Sequence, residues 1–249
     1  MTPKLLLPGL AALLLGASSC ATIEAGSSGE PWESFGKGTT TVGVSTGWAF
    51  YGASAEAAGQ TGVLEGDEGS DTTTLTPNYG GALSVRHMVT DHLSLGGIFE
   101  VRSFDPDSLS PLSAELEADD FETYHYILSS RYFFDGMGES GRWRPFVGLD
   151  LSYIPDVDLG EVTVTYPASS GLPQESVGVV GSDYWALAGV LGMSYQINDD
   201  WSFDTGAFYE YALTTSDASI EFQSLAGAQA DMALRPEGLV LFGGLTFGF

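Results

Sequence analysis

Apolar and polar residues alternate along eight segments of the chain, as they do in β-strands whose two faces meet different surroundings. Leu239, Leu241, Gly243, Leu245, Phe247 and Phe249 share one face of the last segment, and Val240, Phe242, Gly244, Thr246 and Gly248 occupy the other face. Each segment has roughly 10 to 14 residues, about the length of a tilted strand that crosses a membrane. The eight segments span about 39–51, 78–89, 92–104, 121–134, 145–154, 183–197, 201–213 and 238–249.

Short and long connections alternate between these segments. The short connections are 90–91, 135–144 and 198–200, and the long ones are 52–77, 105–120, 155–182 and 214–237. Short periplasmic turns and long outer loops are typical of outer-membrane barrels, and an even strand number places both barrel termini in the periplasm. The pattern therefore predicts an all-β fold, an eight-stranded antiparallel up-and-down transmembrane β-barrel with long acidic extracellular loops. A weak amphipathic pattern near 113–120 is the one candidate for a helix.

Charged residues lie on the face opposite the aromatic and aliphatic one. A soluble eight-stranded barrel, the competing interpretation, fills its interior with apolar side chains instead. The interior of an eight-stranded barrel holds only side chains or one small ligand, and buried charges must be paired. We therefore predict an interior network of ion pairs and hydrogen bonds that plugs the barrel; a narrow polar channel lined by the same groups is the alternative. The network residues are Arg86, Glu100, Arg102, His125, Arg131, Asp150, Asp204 and Glu210.

The N-terminus has the pattern of an export signal. Lys4 precedes an apolar run over 5–15, which is too short for a spanning helix, and small residues follow. We expect a signal peptide over 1–20, a flexible periplasmic leader over 21–38, and the barrel over 39–249. Cys20 is either the lipidated first residue of a lipoprotein or part of an ordinary cleavage site after Ala21.

Acidic residues dominate the charged composition. The chain has 33 Asp and Glu against 8 Lys and Arg, a formal charge of −25, which argues against nucleic-acid binding. Acidic loops could hold divalent cations loosely, although a solvated, self-repelling surface is the simpler interpretation. No other cofactor or metal is expected. The weak cation-ligand candidates are Asp67, Asp71, Asp119, Asp120, Asp156 and Asp158.

Two motifs and the strand rhythm resemble a known superfamily. The motifs are the ending Leu245-Thr-Phe-Gly-Phe249 and the strand start Asp91-His-Leu-Ser-Leu-Gly96. Over about 39–249 the chain resembles the small eight-stranded outer-membrane barrels, the OmpA/OmpX-type and OmpW-like proteins. The resemblance implies that Leu245, Phe247 and Phe249 form a signal for the barrel assembly machinery. It also implies a monomer in the bacterial outer membrane, in contact with lipid and lipopolysaccharide.

Three functions follow from this interpretation. The first is a non-enzymatic structural or interaction barrel that displays acidic loops. The second is a barrel that transports a small or hydrophobic solute, as OmpW-like proteins would. The third and most distant is a lipid-modifying enzyme, because His92, Ser94 and Glu100 resemble the catalytic residues of lipid A deacylases. Ser94 and Glu100 are six residues apart, about 20 Å along a strand, so they cannot share one hydrogen-bonded triad.

Overall fold

The computed structural model describes residues 32–61, 66–110 and 114–249, without the side chains of 77–79. The expected signal peptide, Cys20 and the first part of the leader lie outside the described residues. No helix within the described ranges is long and apolar enough to cross a membrane.

Twelve strands make up the described fold, and eight of them close into an antiparallel ring. In chain order they are β1 (Thr40–Gly59), β2 (Glu68–Met88), β3 (Leu93–Pro106), β4 (Glu115–Ala118), β5 (Phe121–Phe133), β6 (Trp143–Ile154), β7 (Val157–Thr165), β8 (Glu175–Gly181), β9 (Tyr184–Gln196), β10 (Trp201–Ala212), β11 (Ser216–Phe222) and β12 (Ala228–Gly248). The ring runs β1-β2-β3-β5-β6-β9-β10-β12, and β12 pairs back with β1. The predicted eight-stranded barrel is confirmed.

Burial alternates along the ring strands as period two requires. On β5 every odd-numbered residue from Phe121 to Phe133 is buried, and Tyr124, Tyr126 and Leu128 on the other face are exposed. Exposed aromatic and aliphatic side chains cover the outside of the ring. A soluble protein does not present such a surface to water, whereas lipid accepts it, so the apolar face is the outer one.

Both ends of the described barrel chain lie at the same rim as the three short turns. Thr41 pairs with Gly248 at this rim, and β1 and β12 then run together as far as the pair Gly59–Ala230. In this fold the rim that carries the termini is periplasmic. The opposite rim is therefore extracellular, and it carries the remaining strands.

The long connections contain far more strand than the sequence predicted. The expected strands 39–51 and 78–89 are too short, because β1 and β2 continue to Gly59 and from Glu68. On the outer side β11 pairs with the start of β12, and β4, β7 and β8 form a separate three-stranded sheet. Residues 115–118 lie in β4, so the helix suggested near 113–120 is wrong. We call these outer strands together the extracellular extension.

The extracellular extension has its own apolar core. Val164 and Val179 of the small sheet, Ile220 and Phe222 of β11, and Met232 of β12 are buried together. Burying such side chains stabilises a fold by about 1.5–3 kcal/mol each. This core holds the small sheet against the barrel strands, so the extension is a structured body above the membrane and not a set of free loops.

Candidate functional site

The lumen of the barrel is crossed near its outer end by a group of buried charges centred on Arg102. Its guanidinium donates hydrogen bonds to Glu100 Oε2 at 2.9 Å and to Glu210 Oε1 and Oε2 at 2.9 and 3.3 Å. It also donates to the hydroxyl of Tyr51, which itself donates to Glu210 Oε1 at 2.7 Å. Because β3, β10 and β1 contribute these residues, the group links strands that are not all neighbours and fills the bore between them.

Two further ion pairs occupy the lumen on the periplasmic side of Arg102. Arg131 of β5 binds both carboxylate oxygens of Asp150 of β6, at 2.5 and 2.8 Å. Arg86 of β2 donates to Asp204 Oδ2 of β10 at 3.0 Å, across the lumen. A two-pronged guanidinium–carboxylate contact fixes orientation as well as charge. The lumen therefore contains three separate groups of ion pairs along its length rather than one, and a cavity lined by Arg86, Arg131 and Asp204 lies among them.

His125 lies beside the Arg102 group and is fully enclosed. Its Nε2 is 2.9 Å from Thr123 Oγ1, and its Nδ1 is 4.0 Å from Glu210 Oε2. All eight residues of the sequence-predicted network thus lie in the lumen, and the structure joins them into three groups. Together they bring three guanidiniums to four carboxylates within the bore.

The extracellular extension encloses an apolar chamber directly above the Arg102 group. Tyr51, Phe104, Phe121, Val179 and Met232 are among the side chains that line it. The centre of a water molecule can move through about 60 Å³ of this chamber. About 10–15 Å³ on this measure holds one water, so there is room for a small organic molecule. Sequence reasoning missed the chamber, because most of its lining comes from segments taken as loops.

The periplasmic mouth is closed by residues that the sequence assigned to a flexible leader. Trp32 and Phe35 are buried there, and the Trp32 indole donates to the carbonyl of Gly141 at 3.0 Å. The Trp32 backbone N–H donates to Gln196 Oε1 at 2.8 Å, and the Arg144 guanidinium lies 5.7 Å from the ring centre. Within the leader expected over 21–38, the residues from Trp32 onward therefore pack against the barrel, because the two aromatic rings lie in an apolar pocket beside the Arg144 guanidinium. We call residues 32–36 the periplasmic plug.

The remaining sequence candidates are not gathered into a site. His92 lies at the periplasmic turn, where its Nδ1 is 2.9 Å from the Phe133 carbonyl oxygen, while Glu100 is bound to Arg102. Leu245 of β12 and Phe249, the residue after this strand, are exposed on the lipid-facing side, and the Phe247 ring contacts those of Trp201 and Phe249.

The acidic candidates serve local structure where the structure shows their contacts. Asp71 accepts hydrogen bonds from the backbone N–H groups of Ser110 and Thr72, which lower its pKa. Asp158 accepts one from the N–H of Gly160. Within the described residues, no three acidic, histidine or cysteine side chains are grouped as metal ligands.

Comparison with known proteins agrees with this architecture. The chain is 28% identical to Outer membrane protein W of Escherichia coli (strain K12) over 181 residues, which cover 67% of this chain and 79% of the relative. The values for Outer membrane protein W of Shigella flexneri are the same. Among solved structures, the outer membrane protein OprG from Pseudomonas aeruginosa has a TM-score of 0.62 at 18% identity, covering 86% of this chain and 97% of that chain. No family model matches the chain.

Proposed function

We propose that this chain, which belongs to the small eight-stranded outer-membrane β-barrel superfamily, is a non-enzymatic barrel with a bore closed to ions. The chain lies in the bacterial outer membrane with both barrel termini in the periplasm. The observation that carries the proposal is the series of three ion-pair groups across the lumen. An open polar channel needs a continuous path of water, and guanidinium–carboxylate contacts at three levels interrupt it. The acidic extracellular extension is then the part that meets other molecules.

The structure offers no support for the enzymatic alternative. Ser94 and Glu100 lie on the same strand, about 20 Å apart along it. Glu100 accepts a hydrogen bond from Arg102, and the Ser94 hydroxyl is buried without a partner among the described residues. Because a nucleophile needs a base within hydrogen-bonding reach, these residues do not make a hydrolytic site.

Access of a charged thiol reagent to the lumen tests the closed bore. Ser129 is buried in the lumen opposite Asp150, and Ser219 is exposed on β11. With Cys20 replaced by Ser, Ser129→Cys and Ser219→Cys would be treated with a trimethylammonium-ethyl methanethiosulfonate reagent in intact outer membranes. We expect rapid modification at 219 and none at 129. Equal rates at the two positions would show that water and ions pass the ion pairs, and would overturn the proposal.

We also propose that the extracellular chamber receives a small apolar molecule. One specific observation favours this second function: the chamber is walled by aromatic and aliphatic side chains and lies above a closed polar bore. Ligand pockets are concave and mostly apolar, with few polar groups that fix orientation. Met232 lines the chamber, so the carbon chemical shift of its methyl group should move when methylenecyclohexane is added to the folded protein in nanodiscs. A Met232 signal that stays unmoved at saturating methylenecyclohexane would refute this function.

A further inference from the structure

We propose that the chamber selects neutral molecules with an apolar body and one hydrogen-bond-accepting oxygen, which accepts from the hydroxyl of Tyr184. This inference rests on the proposed function of the chamber as a receiving site for apolar molecules. It goes beyond that function by naming a specificity residue and the chemical class of the ligand. The argument comes from the hydrogen bonds of the hydroxyl groups that line the chamber.

Five hydroxyl-bearing side chains line the chamber, and four of them are engaged by the protein. Tyr51 donates to Glu210 Oε1 at 2.7 Å, and Thr123 Oγ1 is 2.9 Å from His125 Nε2. Thr73 donates to the Asp107 carbonyl at 2.9 Å, and Ser216 donates to the Ser182 carbonyl at 2.7 Å.

Tyr184 is the fifth hydroxyl-bearing residue, and it differs from the other four. Its side chain is 3% exposed and lines the chamber, and no side-chain partner binds its hydroxyl within the part of the chain that the structure describes. The hydroxyl oxygen is not among the fully enclosed atoms that lack a partner, so it is open to the chamber. A ligand that displaces water from this hydroxyl without replacing the hydrogen bond loses affinity. A ligand that restores the missing bond is therefore favoured over one of the same shape that does not.

The surroundings of Tyr184 limit the ligand to one polar group without charge. Phe104, Phe121 and Ile220 supply no polar side-chain partner, and the neighbouring carboxylate of Glu210 already binds Arg102 and Tyr51. Asp107 also lines the chamber but is solvent-exposed, so next to Tyr184 a second polar group on the ligand would stay unsatisfied and an anionic ligand would be buried without a counterion. A phenolic O–H donates, so the matching group is an accepting oxygen, as in a ketone, ether or ester.

Two probes of nearly the same shape separate this proposal from simple apolar binding. Cyclohexanone carries a carbonyl oxygen where methylenecyclohexane carries a CH₂ group. The full chain, folded in nanodiscs, would be titrated with each, and occupancy followed by the Met232 methyl shift with membrane partitioning of the probes taken into account. The variants are Tyr184→Phe, which removes only the hydroxyl oxygen, and Tyr209→Phe, a matched control on the exposed outer face.

We expect wild-type protein to bind cyclohexanone about three- to tenfold more tightly than methylenecyclohexane, the usual contribution of one hydrogen bond. In Tyr184→Phe that preference should vanish through weaker cyclohexanone binding, with methylenecyclohexane unchanged, and Tyr209→Phe should behave as wild type. A Tyr184 ring-carbon label in the wild-type protein should shift with cyclohexanone and stay unchanged with methylenecyclohexane.

The outcomes separate failure of this inference from failure of the chamber's proposed function. If both probes bind and Tyr184→Phe leaves cyclohexanone affinity unchanged, the specificity proposal is wrong and the apolar receiving site stands. If neither probe moves Met232, both proposals are wrong. If Tyr184→Phe weakens both probes equally, the tyrosine shapes the chamber without selecting an oxygen, and the specificity proposal fails.

Discussion

Replacing Arg102 with Met removes the central charge of the largest ion-pair group in the lumen while keeping most of the side-chain volume. The guanidinium is 2% exposed and bonded to Glu100, Glu210 and Tyr51. Its loss leaves two carboxylates without their cation, Glu210 at 2% and Glu100 at 12% side-chain exposure. Breaking a buried pair by removing one partner costs about 3–5 kcal/mol, and the near-complete burial of Glu210 places Arg102→Met in that range.

The matched control is the same substitution outside the lumen. Arg235 is exposed on β12, and its one hydrogen bond reaches Tyr211 at 3.5 Å. Arg235→Met should change stability by less than about 0.5 kcal/mol. Equilibrium urea unfolding in detergent micelles, followed by tryptophan fluorescence, would measure both variants. Adding Glu210→Gln to Arg102→Met should recover part of the lost free energy of unfolding, because it removes one of the two carboxylates left without a cation. Equal destabilisation by Arg102→Met and Arg235→Met would refute the view that the lumen charges depend on each other.

Three further perturbations test the rest of the structure. Trp32→Ala should destabilise the protein by about 3 kcal/mol, the cost of removing a buried aromatic side chain. Urea unfolding would measure the change, and an unchanged midpoint would mean that the periplasmic plug does not pack against the barrel. The N–H groups of Ser110 and Thr72 lower the pKa of Asp71, so its stabilising effect is complete above the ordinary aspartate range and is lost as pH falls through the lowered pKa. The protection of the Ser110 amide, taken relative to the intrinsic exchange rate at each pH, should therefore fall in strong acid, and should fall at neutral pH in Asp71→Asn. Protection that is unchanged in both cases would contradict the contact. Gly96→Ala should block folding, because a Cβ at position 96 would collide with the Val85 carbonyl oxygen. Gly189→Ala is the control, because a Cβ at position 189 has no atom within 4 Å. A heat-modifiability gel should show a folded band for Gly189→Ala and none for Gly96→Ala.

The ring strands and the lumen charges could be predicted because both depend on a strict period of two. Once the apolar face of a strand is known to meet lipid, Arg131 or Glu210 can point only inward. The partner of each charge could not be predicted, because it depends on the register and on closure of β12 against β1. Arg86 and Asp204 lie far apart in the sequence and meet only across the closed lumen.

The extracellular extension was missed for a different reason. Ala53, Ala55 and Ala57 of β1 carry only small side chains and alternate with Ser54, Glu56 and Ala58, so the contrast between the faces is weak. Residues 115–118 form a strand because they pair with β7, and that tertiary pairing overrides local preference. Trp32 and Phe35 were the available signal of the periplasmic plug, since two aromatic residues are unusual in a flexible polar leader.

The closed bore is tested most directly by the conductance of the wild-type protein in planar lipid bilayers. Insertion would be verified with a parallel preparation of Ser219→Cys, labelled at its extracellular thiol, and its conductance should match that of the wild-type protein. Three ion-pair groups and the periplasmic plug predict no discrete current steps at either polarity. Steady, ohmic openings that scale with the amount of folded protein would contradict the account, because ions would then be passing Arg86, Arg102 and Arg131.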